Sequence, residues 1–197
     1  MLKDLILSAF FAILTGVGGQ FSLPLPFSPV PVSMQFFVVL MSGLLLGPKY
    51  GPISQMVYIA LGLLGAPVFA GGTGGLHRVL SPSFGFLVGY VLASWTAGWL
   101  GAKIRLPREA AWRGFFLYSL VSLAATGVLY AVGLPWFHVN MNYVAGTEMS
   151  FLRSAQLAFL PFLVPDTLKV ATAGCLASRA VPVLREAGLL KSEKSAA

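Results

Sequence analysis

Long apolar runs, separated by short polar, proline-rich or glycine-rich connectors, make up most of this chain. A helix that crosses a membrane needs about 20 mostly apolar residues. Six runs approach or reach that length, at 5–23, 34–47, 52–64, 84–104, 115–134 and 155–183. The pattern predicts an all-α integral membrane protein with six transmembrane helices, which form a single transmembrane domain over 1–197.

Two of the six runs, 34–47 and 52–64, are short for a complete crossing. The segment Pro48–Gly51, which lies between them, is typical of a tight turn. We therefore expect the two runs to pair as a tilted hairpin. The last run is expected to be interrupted or kinked at Pro161 and Pro165, because proline removes a helical hydrogen bond.

Three connectors have unusual compositions. The proline-rich segment Pro24–Pro31 is expected to be an extended loop, since prolines this dense block a helix, and its apolar side chains should pack against the protein. The segment Gly65–Gly75 is a loop by its glycine content. The polar connector Trp136–Arg153 has room for a short surface helix, and we expect its His138 and its asparagines to be exposed to solvent.

Charge then orients the predicted helices. Only 10% of the residues are charged, against roughly 25% in ordinary soluble domains. The formal net charge of +7 comes from basic residues in the connectors, so membrane topology explains it better than nucleic-acid binding does. With the N-terminus inside the cell, ten of the thirteen Lys and Arg residues fall on one side. We expect both termini to be cytoplasmic and the three unusual connectors to meet outside.

Asp166 and Lys169 are an acid and a base inside the sixth apolar run. A charge within a membrane helix costs several kcal/mol. Because the two residues are three positions apart, they share a helix face and can pair. One interpretation is a self-neutralising pair that is buried against another helix. The other is a binding site for a polar ligand that has both hydrogen-bond donors and acceptors.

Two further segments supply candidate ligand contacts. The glycine loop contains Thr73 and leads to Arg78, whose planar guanidinium suits a carboxylate; alternatively the loop is a flexible turn and Arg78 reaches lipid headgroups. Gln35 begins an apolar helix, where it either bonds backbone or points into a pocket.

Ser8, Ala12 and Gly16 recur every four residues along the first helix. Small residues at this spacing let another helix approach closely. The stripe therefore predicts either packing within this bundle or docking of a partner protein in the membrane.

Motifs of enzymes and metal sites are missing from the sequence. It contains no H-E-x-x-H, no G-x-S-x-G and no Walker sequence, and its one cysteine and two histidines have no metal-binding spacing. We expect neither an enzyme nor a metal or cofactor site. The residues alone thus predict a small helical membrane protein with a ligand site that opens outside the cell.

Four segments together with the Asp166-x-x-Lys169 spacing resemble the BioY family, and the likeness covers nearly the whole chain. The segments are Pro29–Gln35, Gly43–Gly51, Gly62–Gly72 and Pro82–Tyr90. BioY proteins are biotin-binding S components of energy-coupling factor (ECF) transporters. The resemblance implies a multi-pass protein of the cell membrane with a biotin pocket near the outer face. Energy would come from a transmembrane coupling (T) protein and two cytoplasmic ATP-binding subunits.

The resemblance also implies roles for individual residues. Asp166 would accept the ureido N–H groups of biotin, Lys169 would bind the ureido carbonyl or the carboxylate, and Arg78 would reach the carboxylate. Phe36 and Tyr90 would line the apolar ring region. The proline-rich segment would act as a lid, and the small-residue face of the first helix would dock the coupling protein. There are two alternative functions. One is an S component for another vitamin, and the other is a small intramembrane enzyme that uses Asp166.

Overall fold

Six α-helices and a β-hairpin make up the part of the chain that the computed structural model describes, residues 2–187. They are α1 (Leu2–Gln20), β1 (Ser22–Leu25), β2 (Ser28–Ser33), α2 (Gln35–Leu63), α3 (Phe84–Lys103), α4 (Ala111–Tyr143), α5 (Phe151–Ala158) and α6 (Leu163–Glu186). Short 3₁₀ turns occupy Leu76–Leu80, Arg108–Ala110 and Leu160–Phe162.

Five helical stretches within residues 2–187 are long and apolar enough to cross a membrane. They are α1, α2, α3, α4 and the stretch Phe151–Glu186. Large apolar side chains on their outer faces, such as Ile6, Phe10 and Ile13 of α1, are exposed as lipid-facing residues would be. The prediction of an all-helical, multi-pass membrane protein is confirmed, whereas the count of six crossings stays a prediction.

Helix α2 reverses direction at Gly47, whose φ of 78° lies outside the helical region. The amide of Gln55 donates to the hydroxyl of Ser42 at 3.1 Å, although the two are 13 positions apart. A straight helix would separate them by about 20 Å. Residues 35–46 and 48–63 are therefore two antiparallel arms, which is the pairing expected from the two short apolar runs.

Glycine lets the first arm of α2 lie against α3. A Cβ at Gly43 would overlap the Ser94 carbonyl oxygen and would lie 2.9 Å from the Cβ of Ala97. This close approach brings the hydroxyls of Ser42 and Ser94 to 2.9 Å in a fully buried position. Short polar side chains thus join the helices where water is excluded.

The proline-rich connector is an antiparallel β-hairpin, not the extended loop expected from its composition. Ser22 pairs with Ser33, Leu23 with Val32, and Leu25 with Ser28. Proline fits here because both strands of a two-stranded sheet are edges, so each strand has one side that needs no ladder hydrogen bond. The apolar packing expected of this connector is seen at Val30, which is buried.

Helix α4 runs past the expected end at residue 134 and continues through Pro135 to Tyr143. The indole of Trp136 donates to the Ser81 carbonyl at 3.1 Å, and the amide of Asn140 donates to the Leu80 carbonyl at 2.8 Å. These contacts hold the extension against the segment that follows the glycine loop. The predicted polar connector is therefore mostly helical. The predicted solvent exposure is wrong for Asn140, which is buried, and for His138 and Asn142, which are half-buried.

The chain breaks at Pro161 and not at Pro165. Helix α5 ends at Ala158, and the turn Leu160–Phe162 precedes α6. Pro165 is the third residue of α6, where the backbone N–H has no helical partner to lose. The predicted run at 155–183 is thus two helices, and the acid–base pair lies at the start of the second.

We predict that Gly43→Ala destabilises the protein, because its methyl group would collide with the α3 backbone. Thermal unfolding of the purified protein in detergent should show a loss of about 1–3 kcal/mol. Gly127→Ala is the matched control. Nothing lies within 4 Å of a Cβ at Gly127, so this change should leave stability equal or up to about 1 kcal/mol higher. Equal stability of the two variants would contradict the packing described.

Candidate functional site

An open cavity lies where the β-hairpin, α5 and the start of α6 meet, and its empty space of about 370 Å³ includes the solvent at its mouth. Six elements and one 3₁₀ turn contribute to its lining: Val30, Pro31 and Ser33 from β2, Phe36 from α2, Phe86 and Tyr90 from α3, Leu129 and Tyr130 from α4, Ala158 from α5, Phe162 from the turn, and Asp166 and Lys169 from α6.

Asp166 is the centre of the polar part of the cavity. The Lys169 ammonium donates to its Oδ1 at 2.8 Å, and the Tyr130 hydroxyl donates to its Oδ2 at 2.5 Å. Asp166 and Lys169 are only 6% and 7% exposed. A buried charge is tolerated when it is paired and hydrogen-bonded, and each carboxylate oxygen here has one such partner.

This cluster keeps hydrogen-bonding capacity for a ligand. A carboxylate has about four lone-pair sites, and an ammonium has three N–H donors. Two acceptor sites of Asp166 and one donor of Lys169 are engaged in the contacts above. The pair is neutral as a whole, so it suits an uncharged group that presents both N–H and C=O.

Aromatic rings form the apolar walls. Phe36 and Tyr90 stack at 6.1 Å with an interplanar angle of 21°. Phe86 meets Tyr130 edge-on at 5.9 Å, and Phe159, which is outside the lining, also meets Tyr130 edge-on at 4.8 Å. A flat apolar ring can pack against such surfaces.

The cavity is covered by the β-hairpin and by α5 with its following turn. The hairpin is attached to α1 through the backbone N–H of Met34, which donates to the Gly18 carbonyl at 3.2 Å. Helix α5 contacts β2, so the two covering elements touch each other. The β-hairpin is the proline-rich connector, and α5 begins within the connector Trp136–Arg153. The meeting of the three connectors outside the cell stays a prediction.

The structure brings four of the predicted site residues into the cavity: Asp166, Lys169, Tyr90 and Phe36. Gln35 is buried beside it and does not line it. Its amide donates to the Tyr58 hydroxyl and accepts from Ser33 at 3.1 Å. It therefore joins β2 to the second arm of α2, and a ligand contact from it stays a prediction.

Arg78 and Thr73 also lie outside the lining. The Thr73 hydroxyl donates to the Ala70 carbonyl at 3.1 Å within the glycine loop. Arg78 is half-buried in the turn Leu76–Leu80. Their roles in ligand binding stay predictions.

The small-residue stripe of α1 packs inside the chain. Ser8 and Ala12 are 1% and 2% exposed, and the Ser8 hydroxyl donates to the Tyr50 carbonyl at 3.1 Å. A Cβ at Gly16 would lie 3.1 Å from the Cβ of Val68. Of the two alternatives, packing within the bundle describes this structure, while docking of a partner stays a prediction.

Sequence reasoning missed Tyr130, which contacts the carboxylate directly. A tyrosine within a membrane helix carries a hydroxyl that needs a partner, and this signal was available. The partner lies 36 positions away on another helix. The packing of α4 on α6, which sequence alone does not reveal, decides that the partner is Asp166.

Comparisons with known proteins point to one family. The sequence model of the BioY family matches residues 1–186. The chain is 38% identical over 177 residues to the probable biotin transporter BioY of Pyrococcus horikoshii, covering 90% of this chain and 95% of the relative. It is 34% identical over 188 residues to the probable biotin transporter BioY of Lysinibacillus sphaericus, covering 95% and 91%.

A solved structure has the same fold. It is the crystal structure of the S-component for biotin from an ECF-type ABC transporter. The match has a TM-score of 0.77 and 28% sequence identity, and it covers 94% of this chain and 92% of the other. The chain is thus similar over nearly all its length to a membrane transport component.

Removing one member of the buried ion pair should cost more stability than removing both. Asp166→Ala leaves the Lys169 ammonium buried without its partner, which should cost about 3–5 kcal/mol. Asp166→Ala combined with Lys169→Met should cost less, because no uncompensated charge remains. Thermal unfolding in detergent measures both. The control is Glu148→Ala in the exposed connector before α5. A double variant less stable than the single one would refute this account of the pair.

Proposed function

This chain belongs to the BioY family, and from that premise we propose that it is the biotin-binding S component of an ECF-type transporter. The observation that carries the proposal is the Asp166–Lys169–Tyr130 cluster in the lining of a cavity that also has aromatic walls. The relatives are named as biotin transporters, and the solved structure is described as an S-component for biotin. They are transport proteins, so an intramembrane enzyme is not supported, and biotin is a transported ligand and not a cofactor.

The ureido end of biotin would face Asp166. The ureido ring offers two N–H donors and one carbonyl, which match the free acceptor sites of Asp166 and the free donors of Lys169. A ligand carboxylate would fit this position poorly, because Asp166 already neutralises Lys169 and would repel a second negative charge. Of the two groups that Lys169 was expected to bind, the ureido carbonyl is therefore the one we propose.

The remaining parts of biotin are assigned by exclusion. The fused rings would lie against the stacked Phe36 and Tyr90. The carboxylate would extend toward the mouth of the cavity, where Arg78 is the cation that we propose for it. Because Arg78, Thr73 and Gln35 do not line the cavity, a contact from any of them requires the covering segments to rearrange around the ligand. The β-hairpin would act as a lid.

The fold supports six membrane crossings with both ends cytoplasmic. The two arms of α2 run in opposite directions, so each would make its own crossing with α1, α3, α4 and α6. Lys49, Lys103 and Arg185 then fall at the end of the bundle opposite the hairpin, as the positive-inside rule requires. The cavity would open on the outer face.

In an ECF-type assembly this chain would provide substrate binding alone. The partners we propose are a transmembrane coupling protein and two cytoplasmic ATP-binding subunits, together with the surrounding lipid. No nucleic-acid role is proposed.

Equilibrium binding of radiolabelled biotin to the purified protein tests the function. We expect nanomolar affinity, about −12 kcal/mol. Asp166→Asn should weaken binding about 10- to 100-fold, because it removes a charged hydrogen-bond acceptor. Glu148→Gln, outside the cavity, is the control and should bind like the parent chain. Vitamins without a cyclic urea should not compete. Absence of biotin binding by folded protein would overturn the proposal.

Labelling of single cysteines in intact cells tests the topology. In a Cys175→Ser background, Phe27→Cys in the hairpin turn should react with a membrane-impermeant maleimide. Lys49→Cys at the start of the second arm of α2 should react only after the cells are opened. Both positions are exposed at the protein surface, so accessibility would report sidedness. The reverse labelling pattern would invert the proposed orientation.

A further inference from the structure

Helix α5 forms one wall of the cavity without belonging to the helical bundle. It has only eight residues. Its last residue, Ala158, lines the cavity, and the turn after it contributes Phe162. Ligand passage on this side would require α5 to move away from α4. The contacts between α5 and α4 therefore decide how readily this wall opens.

A polar cluster fastens α5 to the end of α4, and we call it the α5 clamp. It consists of His138 and Asn142 on α4, Ser154 on α5, and the backbone of Met149 just before α5. His138 Nδ1 lies 2.9 Å from Ser154 Oγ. Asn142 accepts from the N–H of Met149 at 2.8 Å and donates to its carbonyl at 3.2 Å.

The N–H groups of Asn142 have the carbonyls of His138 at 2.8 Å and of Met149 at 3.2 Å as acceptors, and the same nitrogen lies 3.2 Å from His138 Nδ1. The Ser154 hydroxyl has the Ser150 carbonyl as an acceptor at 3.3 Å. The tautomer of His138 decides whether His138 or Ser154 donates in their contact, and the contact exists in either case. This contact is shielded, since Ser154 is fully buried and Phe151 packs edge-on against the imidazole at 5.5 Å.

We propose that the α5 clamp is a gate for ligand passage, with His138 as the positioning residue that keeps α5 closed over the cavity. The inference rests on the proposed function, because it takes biotin as the ligand that passes. The side chains of the clamp do not line the cavity, so weakening the clamp removes no ligand contact. It should raise the rates of entry and exit alike and leave affinity unaltered.

The experiment measures both rate constants for radiolabelled biotin on the full chain in lipid nanodiscs. Association is followed directly, and dissociation is followed after a chase with unlabelled biotin. His138→Ala removes a hydrogen bond to a buried hydroxyl, so both rates should rise about tenfold while the Kd stays unchanged. Ser154→Ala should have the same effect. The double variant should add nothing further, because both changes break one contact.

Two variants separate gating from damage to the fold. His138→Asn keeps an amide that can donate or accept near the position of Nδ1, so it should restore the slow rates. Arg153→Gln changes an exposed residue of α5 whose side chain bonds only to Gln156 among the described residues, and it should leave the rates unchanged. A variant that merely folds poorly would lower the fraction of active protein without altering the rates of that fraction.

Three outcomes would overturn the gate. Unchanged rates in His138→Ala would show that biotin passes elsewhere, for example beneath the β-hairpin. A faster release with unchanged association would make the clamp a support for affinity. Equal rates in the Asn and Ala variants would exclude the hydrogen bond as the cause. Failure of the unaltered chain to bind biotin would instead count against the proposed function.

Discussion

The buried pair of Asp166 and Lys169 is the constraint on which the rest of the site depends. Two charges in apolar surroundings are stable only with each other and with further hydrogen bonds. The third partner, Tyr130, comes from α4, so α4 and α6 have to approach closely. Gly174 makes this possible, because a Cβ there would overlap the Ser119 hydroxyl of α4. The polar cluster of the cavity can therefore form only where α4 and α6 pack closely.

Much of the fold could be predicted from the pattern of apolar residues, since lipid imposes the same length on every crossing. The reversal at Gly47 was visible for the same reason, because both neighbouring runs were too short alone. The β-hairpin was not predictable, since its prolines argue against a strand unless both strands are edges. The extension of α4 through Pro135 depends on carbonyl groups of Leu80 and Ser81, which lie far away in sequence.

Some residues of the site could likewise be identified from the sequence, and others could not. Asp166 and Lys169 could be identified because a charge in a membrane helix is conspicuous whatever surrounds it. Gln35 was equally polar, but its amide is hydrogen-bonded to Ser33 and Tyr58 within the protein. Tyr130 was inconspicuous because tyrosine is common near membranes. Which polar residue faces the cavity is set by helix rotation and register, and these arise from packing between distant segments.

The two arms of α2 have a mechanical consequence for the membrane itself. Residues 35–46 and 48–63 would be about 18 Å and 24 Å long, whereas the hydrocarbon core is about 30 Å thick. If each arm crosses as proposed, the bilayer beside the exposed second arm would have to thin or its lipids would have to tilt, at a cost of fractions of a kcal/mol per ångström. The protein would then carry a dimple in the surrounding lipid, and its energy would depend on which acyl chains the host membrane contains.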